Sequence, residues 1–491
     1  MSDNSILDAD LPDAVKAWNE KYAYPKLVIA SAHIIIAAYE KKFGNVIPER
    51  RGDLTEYWTD GIGSDALRVG YNRLSKERLT QTEILWTMLN RFSFTPAPVD
   101  AISDSWRWVL LGSEHTWGYH APAHTLSKII EATKASYFEN ADKTSRTLLT
   151  ETLNPITTPN SRTIAVLNAL SWSRTGLVIL TAKQSKDAKS VADDSGKQLI
   201  SQRLHSGELA FLATDIPALG SKTFRLINAP IVVSATLMAT DNTLENALIK
   251  VILNQQTGDI ASLVDKRNGH DYVNAKSPYA INSYRYLIGA DSAYKASAPT
   301  EVRVSIKENG PLVASLLVES KAEGCRKLTR EIRIIAGQPQ VELLNIVDKI
   351  ATRTKEGIHF GFAFNVPNGT IRMDIPWGVM IPQADQLPRS NHNWLAFQRW
   401  IDVADGQYGV TWIAIEAPLV EIGDITANQI DGVHGDPWLK TIAPNQTLFS
   451  WVLNNHWNTN FPLEQGCIIP FHYAILPHGT YDPIVANRFG L

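Results

Sequence analysis

The sequence predicts a multidomain α+β protein: a short α/β segment, then a bundle of helices, then a large antiparallel β-sandwich region. Three observations predict it. The chain has 491 residues, more than one hydrophobic core usually organises. Up to about residue 155, apolar residues recur at three- and four-residue steps. Beyond about residue 160 the step becomes two, with Gly, Asn and Pro at the breaks.

Residues 11–30, "LPDAVKAWNEKYAYPKLVIA", read as a helix ending before Tyr24–Pro25 and a short apolar strand, Lys26 to Ala30. A second helix, about 32–43, follows with Tyr39 and Phe43 on one side. Helix, strand and helix with no preceding strand is the pattern that ends a parallel α/β layer. One such unit cannot bury both faces of its strand.

The clearest helix spans about 64–92, with Ser64 as N-cap and Leu67, Tyr71, Leu74, Leu85 and Met88 at helical spacing. "TPAPV" ends it. A second helix starts near Ser105 and runs toward "SEHTWG". A third, about 122–152, carries Leu126, Ile129, Ile130, Thr133 and Tyr137 on one stripe. Three such stripes close into a small bundle.

In "SRTIAVLNALSWSRTGLVIL" two β-branched runs flank a turn at Asn168–Ser171. "ENALIKVILNQQTGDIASLVDKRNG" is two strands around Thr257–Gly258–Asp259. "REIRIIAGQPQVELLNIVD" alternates charged and apolar residues, as half-buried antiparallel strands do. This pattern continues to the C-terminus without long helical periodicity. It predicts a large antiparallel sandwich, in two or more parts.

Hydrophobic residues make up 44% and charged residues 20% of the chain, with a formal net charge of −3. That near-neutral balance gives no electrostatic reason to expect nucleic acid or an anionic membrane as partner. No apolar run reaches the roughly 20 residues that span a bilayer. The first residues, "MSDNSILDADLPD", are acidic and polar, unlike a secretory signal. Two cysteines, Cys325 and Cys467, allow at most one pairing and lie in no metal-ligand spacing. The fourteen tryptophans suit either core packing or the apolar faces of pyranose rings.

His115, in "LLGSEHTWGYHAP", lies between an apolar run and an indole ring. A lone histidine is more often a hydrogen-bonded structural residue than a ligand, and zinc needs three or four donors. The one His-x-Asp pair, His434–Gly435–Asp436, is flanked by glycine and proline. That is loop chemistry, and it is not assigned to metal. Acidic residues in aromatic settings are Asp53, Glu56, Asp60, Asp374 and Asp402. None can be paired from spacing into the two carboxylates that glycoside hydrolysis uses. No phosphate loop, nucleophile elbow or thiol–imidazole signature is present.

Several strings occur in a distinctive order: "AWNEKYAYPKLVIAS", "RGDLTEYWTDG", "SEHTWG", "LNALSWSRTG", "IASLVDKRNG", "FAFNVPNGTIRMDIPWG", "DQLPRSNHNWLAFQRWIDV", "YGVTWIAIEAPLVEIGD" and "WVLNNHWNTNF". This series resembles the C-terminal two-thirds of glycoside hydrolase family 38, the zinc-dependent retaining α-mannosidases. The resemblance covers nearly the whole chain, and its specificity lies in the order of the strings.

The resemblance implies residues 1–50 as the terminal part of an irregular (β/α)7 barrel, 51–155 as a three-helix bundle, and 156–491 as β-sandwich domains. It implies His115 as a zinc ligand, at the position from which a bundle residue faces the barrel. Many members have Asp directly after that histidine, whereas this chain has Thr116, which puts any sugar contact of that carboxylate in doubt. The family's His-x-Asp ligands, aspartate nucleophile and acid/base aspartate come from strands before the equivalent of residue 1. No catalytic residue is therefore assigned, and the zinc site is expected to be incomplete. Arg372, Asp374, Trp377, Arg399 and Trp400, with "NNHWNTN" at Asn454–Asn460, are the segments that could reach sugar.

Three functions follow as expectations. The first is an α-mannosidase-type hydrolase acting on mannose-containing glycans, truncated and inactive alone, with a separate barrel chain as candidate partner. The second is a non-catalytic carbohydrate-binding sandwich protein. The third is an unrelated metal hydrolase using His115, His434 and Asp436. The orphan βα unit and the barrel-facing side of the bundle are expected to expose apolar surface and lower solubility.

Overall fold

The computed structural model describes all residues except 1–5, 7, 56, 91–95, 120, 122, 158–160, 231–236, 431–437 and 457–459. The chain divides into two compact units, Met1–Gly52 and Asp53–Leu491.

The first unit holds α1 (Leu11–Lys21) and α2 (Ala32–Phe43), neither with a buried residue. Ring pairs hold each helix locally: Trp18 with Tyr22 at 4.4 Å, Tyr39 with Phe43 at 4.9 Å. The strand expected at Lys26–Ala30 does not form. A strand needs a neighbour for its backbone groups, and none is present among the described residues of this unit. The side chain of Asn19 takes that place at Leu27, donating to its carbonyl (2.7 Å) and accepting from its amide (2.9 Å).

The second unit begins with a 3₁₀ segment, Tyr57–Asp65, that runs directly into α3 (Ala66–Asn90). Ser64 is not the N-cap: it is buried and donates to the Gly61 carbonyl at 2.7 Å. The amide of Ala66 is instead met by Gln465 Oε1 at 2.8 Å, from the far end of the chain. α4 (Val99–Gly112) starts directly after Pro98, six residues before the expected Ser105. Ser105 lies fully buried, 2.6 Å from Thr144 on α5 (Ser127–Leu153), where a small side chain lets the helices approach. Leu79, Val109, Ala141 and Leu148 form the core of the three helices.

The stripe expected on α5 is only partly buried. Leu126, Ile129 and Thr133 are exposed, whereas Phe138, Ala141, Ser145 and Leu148 are buried. Gly112, the last residue of α4, packs on the Phe138 ring. Trp108 of α4 stacks on Tyr137 at 5.9 Å, and the turn of α5 that carries exposed Ile129 lies before that contact.

The β region is two layered pairs of sheets. Residues 163–227 form a four-stranded and a three-stranded sheet around Leu209, Phe211 and Phe224. Strands Thr163–Asn168 and Arg174–Leu180 lie in different sheets of this pair. Buried Asn168 staples the turn between them by donating to the carbonyls of Trp172, Ile216 and Pro217. The larger pair is a nine-stranded sheet from Thr300–Asn309 to Gly378–Met380, facing a ten-stranded sheet from Met238–Ala239 to Leu395–Ala396. Every ladder within these sheets is antiparallel. The hairpin around Thr257–Asp259 forms between Ile249–Leu253 and Ile260–Asp265.

In Val341–Lys349, buried and half-buried residues alternate strictly, so one face enters the core. That core is aromatic: Phe362 lies 5.0 Å from Trp412 and 5.1 Å from Tyr473 across the two sheets. A short C-terminal helix, Pro483–Gly490, was not expected; Asp482 caps it at Ile484 N (2.8 Å).

Candidate functional site

His115 follows the end of α4 on a short segment that is clamped rather than loose. Trp117, two residues on, is buried edge-on against Phe138 (5.4 Å) and Phe461 (5.6 Å). The amides of Trp117 and Gly118 both donate to the Asn460 carbonyl at 2.6 Å. A side chain on Gly118 would come within 2.6 Å of the Phe461 backbone, so this residue must be glycine. Upstream, Asn72 on α3 donates to Ser113 Oγ at 3.0 Å. The result is a fixed backbone that leaves the His115 side chain 62% exposed.

Two side chains frame the imidazole. Its Nδ1 lies 2.8 Å from Glu114 Oε1. Trp58 meets it edge-on with ring centroids 5.2 Å apart. Glu114 is itself held: its second oxygen accepts from Lys134 Nζ (3.1 Å), the Thr116 amide (3.1 Å) and the Thr116 hydroxyl. Burial works against charge on Glu114, but the donors of Thr116 and Lys134 outweigh it and hold the carboxyl below its ordinary value. Nε2 of His115 makes no hydrogen bond among the described residues. A carboxylate beside Nδ1 and an open Nε2 is the arrangement that orients a histidine toward a ligand.

A zinc ion needs more than this. Among the described residues no group of three or more His, Cys, Asp or Glu is placed to hold a metal ion. Glu114, the carboxylate at His115, is already taken up by Lys134 and Thr116. The donor set does not by itself fit a zinc site.

The other sequence candidates have local duties. Asp402 is buried, 2.8 Å from His478 Nε2 and accepting from Thr411 at 2.7 Å. Asp53 sits in a backbone bridge to Gln386. Asp60 Oδ1 accepts from the Gly61 amide, and its carbonyl accepts from Asn454. Asp374 is buried with its carboxyl pushed up by desolvation, against the pull of Arg399. Trp400 is fully buried and donates to Asn487, so it packs rather than touching sugar. Arg399 pairs with Glu77 on α3 at 2.7 Å, and the Arg372 guanidinium stacks on Tyr481 at 4.4 Å.

Trp377 is fully exposed at the tip of a two-residue hairpin turn, with φ of 67°. In "NNHWNTN", Asn455 donates to the carbonyls of Thr352, Thr354 and Leu463, a structural role. Residues 457–459 lie outside the described residues, as do Glu56, His434 and Asp436. Both cysteines are free, Cys325 buried and Cys467 half-buried.

Sequence reasoning missed Lys134 and Trp58. Each is far from His115 in the chain. The one available signal was "EYWTDG" among the ordered strings, which contains Trp58.

A clamped, exposed histidine follows a helix of a three-helix group packed in one compact unit with stacked antiparallel sheets. Residues 244–416 match the Glycosyl hydrolases family 38 C-terminal domain. The fold is similar to an alpha-mannosidase from Enterococcus faecalis V583, with TM-score 0.68 and 15% identity over 98% of this chain. It is also similar to a protein in glycosyl hydrolase family 38 from Enterococcus faecalis, with TM-score 0.66, 14% identity and the same 98% coverage. This chain spans 62% and 63% of the lengths of those two. No curated protein sequence matches the chain. The family match is confined to residues 244–416, and at 14–15% identity the two solved structures show a shared fold.

Proposed function

We propose that this chain forms the bundle-and-sandwich portion of an α-mannosidase-type glycoside hydrolase that removes terminal α-mannosyl residues from glycans with zinc assistance and retention of configuration. The observation that carries this reading is the family 38 C-terminal domain at residues 244–416, on a fold shared along 98% of the chain.

In this reading His115 is one ligand of the zinc ion. Lys134 and Thr116 hold Glu114, and Glu114 with Trp58 frames the imidazole, whose Nε2 keeps no hydrogen bond among the described residues. The α5 turns carrying exposed Leu126 and Ile129 adjoin this loop in sequence and provide apolar surface for a covering element. Retaining hydrolysis uses two carboxyl groups roughly 5–5.5 Å apart. Neither role is assigned to a described residue, so both are expected from a barrel segment, in the same polypeptide or a partner chain.

The test uses the product of the native locus with all adjoining coding sequence. It is expected to hydrolyse 4-nitrophenyl α-mannoside, to stop after a zinc chelator, and to lose activity at least about a hundredfold on His115→Ala. An active product indifferent to both would overturn the assignment of His115.

A further inference from the structure

An open cavity of about 820 Å³ lies beneath the segments 274–279, 292–298 and 423–429. None of its lining residues belongs to α3, α4, α5 or the His115 loop. Its apolar lining is Tyr279, Ala293, Ala296 and Ile425, which pack on buried Leu287 and Phe449 behind them, with Tyr279 edge-on to Phe449 at 4.9 Å. Its rim is fixed, since Asn445 donates to the Gly423 carbonyl (3.0 Å) and accepts from the Thr447 amide (3.0 Å).

Three charged side chains line this space: exposed Lys276, and the opposite charges Arg285 and Asp424, which do not meet. The Arg285 guanidinium lies 5.1 Å over the Tyr279 ring and spends one N–H on the Tyr284 carbonyl at 3.0 Å. Asp424 accepts from the Ile425 amide through Oδ1 at 2.8 Å. Neither takes part in an ion pair among the described residues. Burial lowers the guanidinium's proton affinity and raises that of the carboxyl, with Arg285 half-buried and Asp424 exposed at the mouth. A third aromatic ring, Tyr294, stands 83% exposed at the edge.

The chemistry selects among ligand classes. An anion would be met by the Asp424 carboxylate, and a cation by Arg285 and Lys276. A purely apolar ligand would desolvate both charges without replacing their hydrogen bonds. A pyranose ring fits all three features. Its hydroxyls donate to a carboxylate and accept from a guanidinium, and its C–H face packs on a tyrosine ring. We propose that this cavity is a binding site for a neutral hexopyranose unit of a glycan, separate from the His115 loop, with Arg285 and Asp424 reading hydroxyls and Tyr294 as the stacking ring. The site needs no catalysis. The identity of its hexose as mannose rests on the hydrolase reading.

The experiment is titration calorimetry of the 491-residue chain with α-linked mannobiose, maltose and inorganic phosphate. Saturable binding of mannobiose is expected, weakened about tenfold by Arg285→Gln and by Asp424→Asn, with a smaller loss on Tyr294→Ala. All three variants should melt within about 1 °C of the parent, since the side chains lie at an open cavity. Binding of maltose alone, lost in the same variants, would keep the site and count against the mannosidase reading. Binding of no sugar, sugar binding unmoved by all three variants, or phosphate binding abolished by Arg285→Gln would overturn the proposal.

Discussion

The two compact units obey the same local rules and differ in what those rules are packed against. In Met1–Gly52, α1 and α2 have helical patterning, ring pairs at i and i+4, and no buried residue. Val28, Ile29, Ile35 and Tyr39 are all more than half exposed. In Asp53–Leu491, the strand Glu356–Ala363 is buried at every position and Trp400, Trp412 and Trp451 are fully enclosed. Local pattern chooses the element, but burial supplies most of the stability of short elements. The first unit has the first without the second.

The largest expected effect breaks this contrast in the sandwich. Trp412→Ala removes a ring packed on Phe362, Phe397 and Tyr473. It should cost about 3–5 kcal/mol in urea unfolding, whereas Ile35→Ala in the first unit should change stability by less than about 0.5 kcal/mol. Equal costs would mean that the first unit is buried after all.

Next comes Gly118→Ala, which drives a methyl into the Phe461 backbone and should cost about 1–3 kcal/mol. It should also broaden the His115 ring signals in NMR; a silent substitution would show that the loop is not clamped.

A smaller effect, of opposite sign, is expected at Trp377. A bulky residue at φ 67° strains a turn position that glycine fills freely. Trp377→Gly should therefore gain roughly 0.5 kcal/mol, after the extra chain entropy of glycine. A loss of stability would show that the exposed ring packs on something.

The smallest effect is a pH dependence. His472 Nδ1 lies 2.7 Å from buried Glu416. Desolvation pulls the imidazole down, but the Glu416 contact prevails and raises its pKa above the ordinary 6.5. A raised folded-state value contributes stability that is complete below about pH 6.5 and is lost as pH rises through the folded value. The side chain is partly exposed, so His472→Gln should remove only a degree or two of Tm difference between pH 6 and pH 8. A Tm that rises across this interval in the parent, and not in the variant, would reverse the sign.

Much of the fold was legible because the sandwich strands alternate by two and the bundle helices step by three and four. Val341–Lys349 shows that alternation residue by residue. The errors lie where a distant group replaced a local one. Ser64 reads as a cap, but Gln465 performs that task across 399 positions. Lys26–Ala30 reads as a strand, but a strand is a property of a pair, and Asn19 stands in at a single residue. Leu126 and Ile129 read as a core stripe, but they stand exposed ahead of the contact between Tyr137 and Trp108 of α4.

The site was less legible. His115 could be named through its place in an ordered series. Its surroundings could not, because Trp58 and Lys134 reach it from elsewhere in the chain. Arg285 and Asp424 likewise share a cavity across 139 positions with no common motif.

The proposed function makes His115 one donor of a metal centre, and no group of three or more metal-ligating side chains is placed together among the described residues. Equilibrium dialysis of the 491-residue chain against zinc tests it most directly. The account predicts no zinc retained at micromolar free metal, and no difference between the parent and His115→Ala. One equivalent of zinc held with sub-micromolar affinity, and lost in His115→Ala, would contradict it.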